Sequence, residues 1–247
     1  MSMAAETCQT AVGMNAAYAD AAADAGIEAR IAERLDVLGL SENTALARKL
    51  AVYLKMLQDW NTRLNLTRVI ETEAVIDRHF IESLSVLPKF CFPEKGSLID
   101  VGTGAGFPGL VLAMALPGWE VTLLDAREKR LKFLRAVCDA TGTRNVMIVH
   151  GRAEDLGREN GMRGTFDIAA ARAVAQLDAL CGLLLPFVKP GGMALCWKGP
   201  AWTEEREAAA DAAEKYGGEL GDAADCAAGI LPERTNLIIP IRKRIRT

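Results

Sequence analysis

A short apolar run that ends in an acid and is followed by alternating glycines constrains this chain more than any other feature. The run leads from Leu98 to Asp100, and glycines stand at positions 102, 104 and 106 before an apolar stretch begins at Gly109. Glycine tolerates a positive φ and lets a ligand approach the backbone closely. Turns of this kind join a parallel strand to a helix N-terminus. The segment therefore predicts a nucleotide-like cofactor at the carboxyl end of a parallel strand.

Two cofactors are compatible with this loop taken alone. Gly104, Gly106 and Gly109 have the G-x-G-x-x-G spacing of dinucleotide sites, and Asp125, which ends the next apolar run, would hold a ribose hydroxyl of NAD. Counted from Asp100, the same loop reads D-x-G-x-G-x-G. That pattern suits S-adenosylmethionine (SAM), whose amino-acid moiety the glycines would wrap and whose ribose hydroxyls Asp125 would accept. The spacing leaves both cofactors open.

The segments downstream of the loop favour SAM. An apolar run over 146–150 precedes an acidic loop, a second run over 166–172 ends in Arg172, and a Lys-Pro-Gly-Gly turn at 189–192 precedes a third run. This order resembles the class I SAM-dependent methyltransferases. It predicts an α/β fold with a Rossmann-like, seven-stranded, mostly parallel sheet behind an N-terminal helical extension. The last strand, over 236–240, is expected to run antiparallel, with Pro240 at its end.

Composition excludes several classes of protein. The chain has 247 residues, half of them apolar, and a formal net charge of −3, which does not indicate a nucleic-acid binder, although whole-chain charge is a poor guide to a local patch. Six cysteines without a C-x-x-C pair and only two histidines, His79 and His150, argue against a metal site. No apolar run approaches the ~20 residues that span a bilayer. We expect a cytoplasmic protein without a metal or a membrane partner.

The domain organisation is predicted in three parts. Residues 1–26 form an Ala-rich, acidic extension that we expect to be disordered, and 27–90 form N-terminal helices. A helical stripe of Leu50, Tyr53, Leu54 and Leu57 is interpreted as core, whereas 60–68 is polar and lacks a clean helical period. Residues 91–247 form the SAM-binding domain, which ends in a basic tail.

The chain resembles the bacterial ribosomal RNA small subunit methyltransferase G family, also called glucose-inhibited division protein B. The resemblance runs from about residue 27 to 240, and its helical motifs do not occur in methyltransferases in general. The residues that carry it are Trp60-Asn61, Asn65-Leu66-Thr67, Arg78-His79, Ser83-Leu84, Ile99 to Gly109, Leu124-Asp125, Lys129-Arg130, Arg172-Ala173 and Lys198-Gly199.

The resemblance implies methyl transfer from SAM to N7 of a guanosine in the 530 loop of 16S ribosomal RNA. It places cofactor contacts at Gly102, Phe107, Ala153, Glu154 and Arg172, to which the loop argument adds Gly104 and Asp125. Substrate contacts are expected near the mouth of the site, at Asn65, Arg78, His79, Glu82 and Lys198. No catalytic residue is assigned, because the lone pair of guanine N7 is available without removal of a proton.

Two positions depart from the family pattern. Glu82 stands where the family has aspartate, so its carboxyl group reaches one methylene further, and Ala105 stands where proline is frequent. The expected partner is 16S rRNA or the small ribosomal subunit, bound by a monomer. Phosphate contacts are predicted for the cations Lys55, Arg63, Arg68 and Arg78 and for the basic tail over 241–247.

Three alternative functions stay open at this point. The chain could be a class I methyltransferase that acts on a different RNA, a protein or a small molecule. The dinucleotide spacing would instead suit an NAD-dependent oxidoreductase. A ribosome-binding module that retains SAM without catalysis is the third alternative. The identity of the cofactor, and a basic face on the N-terminal helices, would discriminate among them.

Overall fold

A computed structural model describes residues 25–40, 43–158, 161–225, 230–231 and 236–245. The expected disordered extension therefore lies almost wholly outside the described residues. The helices are α1 Ala25–Val37, α2 Thr44–Leu64, α3 Thr72–Val75, α4 Glu82–Leu84, α5 Gly109–Ala115, α6 Glu128–Thr141, α7 Ala153–Leu156, α8 Leu177–Leu184 and α9 Arg206–Lys215. A π-helical turn, Ile76–Ile81, joins α3 to α4, and a 3₁₀ turn, Pro200–Glu205, precedes α9. The strands are β1 Gly96–Val101, β2 Trp119–Asp125, β3 Val146–His150, β4 Phe166–Arg172, β5 Val188–Lys198, β6 Gly218–Leu220 and β7 Leu237–Lys243.

The seven strands form one sheet in the order β3-β2-β1-β4-β5-β7-β6. The first five strands pair in parallel, and β7 runs antiparallel between β5 and β6. The predicted seven-stranded, mostly parallel sheet of class I methyltransferases is confirmed. A dinucleotide-binding fold would instead have the strand order 3-2-1-4-5-6. The antiparallel strand β7, inserted between β5 and β6, distinguishes this sheet from such an NAD-binding fold.

The position of Pro240 was predicted wrongly. The last strand extends to Lys243, and Pro240 lies in its middle, opposite Leu195 of β5. The Pro240 carbonyl accepts a hydrogen bond from the Gly221 amide at 2.8 Å, on the side away from β5. In an antiparallel strand the nitrogen and the carbonyl of one residue point to the same side. The nitrogen of Pro240 therefore also faces away from β5, and the pairing of β7 with β5 loses no hydrogen bond there.

Hydrophobic side chains cover both faces of the sheet, as a parallel sheet requires. On one face, the N-terminal helices and α5 and α6 share a core with the sheet, in which Leu50, Leu54 and Leu57 are fully buried together with Leu98. Helices α8 and α9 cover the other face. The N-terminal helices are therefore packed into the main core.

Helix α2 continues further than the sequence pattern predicted. Its last two turns include Trp60, whose ring lies 5.6 Å from that of Phe133 on α6. Packing between the two helices stabilises a segment that has no helical period of its own. The helix ends at Asn65, which adopts the left-handed conformation at φ 48°. Asparagine tolerates this conformation better than most residues.

Candidate functional site

The glycine loop lies against the end of β2. The amides of Gly102 and Thr103 donate to the Leu124 carbonyl, at 2.8 and 3.0 Å. Gly104 has φ +61°, and a Cβ atom placed there would meet only a backbone oxygen at 3.8 Å. Gly106, by contrast, has φ +101°, and its Cβ would lie 2.4 Å from the hydroxyl of Tyr53. Gly106 is required by packing, whereas Gly104 leaves open space where a ligand could reach the backbone.

Asp100 stabilises the conformation of this loop by two hydrogen bonds. Its Oδ2 accepts hydrogen bonds from the Thr103 hydroxyl at 2.7 Å and from the Gly109 amide at 2.8 Å. Its Oδ1 is buried and has no hydrogen-bond partner among the described residues. Complete burial raises the pKa of Asp100 to about 6, although the bonds from Thr103 and Gly109 oppose the shift. A donor group that reached Oδ1 would favour the ionised form further.

Asp125 links the loop to the next two elements. Its Oδ2 accepts from the Gly104 amide at 2.9 Å and from Arg130 at 3.1 Å, and its Oδ1 accepts from the Arg127 amide at 2.8 Å. Its backbone carbonyl accepts from the Gly151 amide. The predicted ribose acceptor is thus only 4% exposed and fixes the loop in this structure.

Two further predicted cofactor contacts, Ala153 and Glu154, lie close to this carboxylate. Ala153 and Glu154 open α7, directly after the Gly151 turn that bonds to Asp125. Glu154 is exposed. The structure thus brings the glycine loop, Asp125 and the start of α7 to one edge of the sheet.

Phe107 connects this loop to a second group of predicted residues. The His79 ring stacks on Phe107 with the centroids 4.3 Å apart, and the Arg172 guanidinium lies 5.2 Å above the same ring. Tyr53 stacks on it at 5.4 Å, and its hydroxyl donates to the Ala105 carbonyl. One aromatic side chain of the loop therefore contacts the N-terminal helices and the end of β4 together.

His79 is buried and neutral. Arg172 donates to its Nδ1 at 2.8 Å, and its Nε2 lies 3.0 Å from the Thr67 hydroxyl. Since a guanidinium can only donate, the shorter contact makes Nδ1 an acceptor and leaves the proton on Nε2. The Arg78 carbonyl oxygen, 3.2 Å from the same Nδ1, is then a close neighbour without a hydrogen bond. Burial, together with the charge of Arg172, lowers the pKa of His79 to about 3. His79 adds no positive charge to the site at neutral pH.

Glu82 joins three distant parts of the chain. Its Oε2 accepts from Arg172 at 3.0 Å, and its Oε1 accepts from the Asn236 amide at 2.8 Å. The Asn236 side chain adds two contacts of 3.1 Å. Both carboxylate oxygens therefore bind protein partners, and the longer side chain at this position spans β4 and the start of β7. We call Glu82, Arg172, Asn236 and His79 together the buried clamp.

A cavity of about 450 Å³ opens beside the buried clamp. Three arginines and one carboxylate line it: Arg68, Arg78, Arg172 and Glu82. Ala173, at its wall, has the positive φ of +57° that is uncommon for a residue with a side chain. A cavity with this lining is positively charged and adjoins the glycine loop through Phe107.

Two of the five predicted substrate residues do not line this cavity. Lys198 forms an ion pair with Glu205 at 2.7 Å and donates to the Ala175 carbonyl at 3.2 Å, so it fastens the segment after β4 to the 3₁₀ turn. Asn65 ends α2 and is exposed. Arg78, His79 and Glu82 do line the cavity. Among the other predicted cations, Arg63 pairs with Asp59.

Sequence reasoning missed several residues of the site. Asn236 was considered only as the start of a strand, although it binds Glu82. Val174 was not considered, yet its Cγ2 would lie 2.8 Å from a Cβ at Gly102, which places it over the loop. Neither residue belongs to a recognisable local motif. Thr67, in contrast, follows Asn65 in the quoted family motif and could have been singled out as the partner of His79.

Neither a metal-binding cluster nor a membrane-spanning helix is found in the part of the chain that the structure describes. No three side chains of His, Cys, Asp or Glu there are grouped as a metal ion would need. None of the described helices combines the length and the apolarity that crossing a bilayer requires.

Comparison with known proteins supports one family throughout. A family profile for rRNA small subunit methyltransferase G matches residues 46–230. The ribosomal RNA small subunit methyltransferase G of Alkaliphilus oremlandii is 45% identical over 183 residues, covering 74% of this chain and 77% of that protein. The protein of the same name from Clostridium botulinum (strain Eklund 17B / Type B) is 42% identical over 185 residues, covering 75% and 77%.

Solved structures agree at the level of the fold. A protein assigned as a transferase, PH0793 from Pyrococcus horikoshii, superposes with a TM-score of 0.51 at 13% identity, over 66% of this chain and 62% of that chain. The YcgJ protein from Bacillus subtilis superposes with a TM-score of 0.50 at 15% identity, over 67% of this chain and 99% of that chain.

Proposed function

The chain belongs to the rRNA small subunit methyltransferase G family, and from that premise we propose that it transfers a methyl group from SAM to N7 of a guanosine in the 530 loop of 16S rRNA. The observation that carries the proposal is the contact of Phe107 with both His79 and Arg172, which joins the glycine loop to a positively charged cavity. A cofactor held at the loop and a base held in the cavity would meet at this ring.

The residues of the loop fit SAM. The open space beside Gly104 admits a ligand to the backbone, and the unpaired Oδ1 of Asp100 is a buried acceptor that suits an ammonium or a hydroxyl group. Asp125, Ala153 and Glu154 stand on the ribose and adenine side, and Gly102, Phe107 and Arg172 border the reactive end. When bound, SAM supplies an electrophilic methyl group on a sulfonium. The carboxylates at this edge suit that cation electrostatically.

The cavity fits the nucleic-acid side of the reaction. Arg68 and Arg78 are exposed at its wall and can reach phosphate or the acceptor edge of guanine. Arg172 is only 10% exposed and is paired with Glu82, so its charge is largely compensated. We propose that the helices within 27–90 bind the RNA and that 91–247 binds the cofactor.

The chemistry requires alignment more than proton transfer. Guanine N7 has a free lone pair, so no general base is needed, and positioning of the reacting atoms can provide most of the acceleration. The product ring acquires a positive charge. A neutral His79 and a compensated Arg172 avoid electrostatic repulsion of that charge, which a protonated histidine at the same place would add.

The substrate would be 16S rRNA, alone or in the small ribosomal subunit, in the cytoplasm, and the enzyme would act as a monomer. The test incubates the protein with labelled SAM and small subunits that lack the N7 methyl group, followed by mapping of the labelled base. We expect label at N7 of one guanosine of the 530 loop. Label on another base, or on protein, would replace the proposed substrate.

Gly104→Val tests the part of the proposal that concerns the cofactor. A branched side chain at φ +61° would strain the backbone and fill the open space, so calorimetry should show little or no heat with SAM. Tight binding of NAD by the unchanged protein, without heat from SAM, would contradict the assignment of the cofactor.

A further inference from the structure

A second cavity, of about 420 Å³, lies at the opposite edge of the sheet. It is lined by Pro186 and Pro190 before and within the start of β5, by the end of α9, and by Lys243 and Arg244 of the C-terminal segment. The glycine loop follows the carboxyl end of β1, whereas this cavity lies at the amino ends of β4 and β5. Of the predicted basic tail, Lys243 and Arg244 therefore line this distal cavity, away from the glycine loop.

Four cations and one carboxylate line the distal cavity: Arg163, Lys215, Lys243, Arg244 and Glu214. This excess of positive charge is concentrated in a chain whose formal net charge is −3. The ion pair between Arg244 and Glu214 is long, at 3.5 Å, and its side chains are 52% and 73% exposed. An exposed pair of this kind is weak and screened, so an incoming anion could compete for Arg244.

The cations come from separate segments that the fold brings together. Arg163 donates to the Gly157 carbonyl at 3.0 Å and lies before β4. Lys243 donates to the Tyr216 carbonyl, which fixes the end of β7 against the end of α9. Lys215 lies over the ring of Tyr216, at 5.9 Å. A preformed arrangement of cations loses less entropy on binding than a mobile basic tail would.

An aromatic side chain stands among these cations. The Tyr216 side chain lines the cavity and is 39% exposed. Proteins that bind single-stranded nucleic acids combine cations, which contact the backbone, with aromatic rings, on which bases stack. The distal cavity has both components, whereas a site for a free inorganic anion would not need the ring.

We propose that the distal cavity binds the phosphodiester backbone of the RNA substrate at a second place, remote from the methylated base. The inference rests on the proposed function, which supplies an RNA as the partner. Strand β4 has seven residues, with the distal cavity at its amino end and Arg172 at its carboxyl end. At ~3.3 Å per residue, the cavity therefore lies about 20 Å from Arg172. An RNA that spans this distance would be oriented as well as bound.

The experiment compares two double variants of the full chain. Lys215→Gln/Arg244→Gln removes two charges from the distal cavity, and Lys132→Gln/Arg144→Gln removes two exposed charges elsewhere. Binding of a fragment of 16S rRNA that contains the 530 loop is measured by fluorescence anisotropy at several salt concentrations, and SAM affinity is measured in parallel as a check on folding.

We expect the cavity variant to bind the RNA roughly tenfold more weakly at about 0.1 M salt. The negative slope of log K against log salt should become less steep by about 1.4, the value for two lost phosphate contacts on a single strand. The control variant should bind RNA like the unchanged protein, and both should bind SAM normally. Equal RNA binding by the two variants would overturn the proposal. The same comparison is made with assembled small subunits and with anionic phospholipid vesicles. The proposal would also be overturned if the cavity variant bound only the assembled subunits more weakly, which would indicate a ribosomal protein as the partner. It would be overturned likewise if the variant lost affinity only for the vesicles.

This binding assay separates the new inference from the proposed function. If the unchanged protein binds the fragment but does not methylate the 530 loop, the function fails and the comparison of variants still decides the role of the cavity. If methylation occurs and the two double variants bind alike, the function stands and the second phosphate site is refuted.

Discussion

Two buried carboxylates at the same edge of the sheet find their hydrogen-bond partners in different parts of the chain. Asp100 bonds within its own loop, to Thr103 and Gly109. Glu82 bonds to Arg172 and Asn236, which are 90 and 154 residues away along the chain. Asp100 is therefore a local device that shapes one turn, and Glu82 is a tertiary connection that holds three elements together.

The difference shows how the two halves of the site are built. The proposed cofactor half takes its shape mainly from one short segment, which the end of β2 fixes through Leu124 and Asp125. The substrate half exists only when the N-terminal helices, β4 and β7 are packed, because its walls come from all three. Changes in the buried clamp should therefore affect global stability, whereas a change at Gly104, which faces open space, should affect the cofactor more selectively.

The largest effect is expected at Glu82. Glu82→Ala leaves the guanidinium of Arg172 buried without its carboxylate, a situation that costs about 3–5 kcal/mol. Glu82→Asp restores the family residue but shortens the reach by one methylene, so it should keep one of the two partners and cost about 1–2 kcal/mol. Urea unfolding measures both.

Glu128→Ala serves as the control for Glu82, because it removes an exposed carboxylate that pairs with Arg135. The loss of stability at Glu128 should be small, because solvent screens an exposed ion pair. If Glu82→Ala were no more destabilising than this control, Glu82 would not be a tertiary connection, and the contrast with Asp100 would be lost.

The next effect separates two glycines of the same loop. Gly106→Ala places a methyl group against the Tyr53 hydroxyl at a φ of +101°, and overpacking with backbone strain should cost about 3 kcal/mol. Gly104→Ala meets open space and should cost only about 1 kcal/mol, yet it should weaken SAM binding. Unfolding and calorimetry on both variants test this; the reverse order of stabilities would mean that the loop is packed differently.

Sequence patterns predicted the cofactor, the glycine loop and the sheet. The acid-glycine motif located the loop, and the order of apolar runs predicted the sheet, because both depend on neighbouring residues. The same reasoning did not find Asn236 as the partner of Glu82, nor the ion pair that directs Lys198 toward Glu205. Such contacts depend on which distant strands become neighbours, and one sequence contains no local signal for that.

The third prediction tests which cations bind RNA. Arg78→Ala removes an exposed guanidinium from the cavity wall, and it should lower kcat/KM for the small subunit about tenfold while SAM affinity stays within a few-fold. Lys198→Ala should leave kcat/KM within about threefold and cost about 1–2 kcal/mol of stability, because its partner is Glu205. Single-turnover methylation and urea unfolding distinguish these two outcomes. A strong catalytic loss at Lys198 with normal stability would return it to the substrate site.

The last effect concerns the pH dependence of stability. The pKa of His79 falls from 6.5 to about 3, so between these values the unfolded chain binds the proton and the folded chain does not. Stability contributed by His79 therefore rises with pH across that window. The pKa of Asp100 rises from 3.8 to about 6, so there the folded chain binds the extra proton, and stability contributed by Asp100 falls as pH rises. The two contributions oppose each other between about pH 4 and 6.

Removing either group should expose the other. Asp100→Asn should make stability rise more steeply with pH than in the unchanged protein, by up to about 1.4 kcal/mol per pH unit between pH 4 and 6. His79→Gln should change the slope in the opposite direction by a similar amount. Urea unfolding at pH 4, 5, 6 and 7 gives the slopes, and the difference between each variant and the unchanged protein cancels the titration of the other carboxylates. Two variants with the same change of slope would mean that the buried histidine and the buried acid do not titrate as their surroundings require.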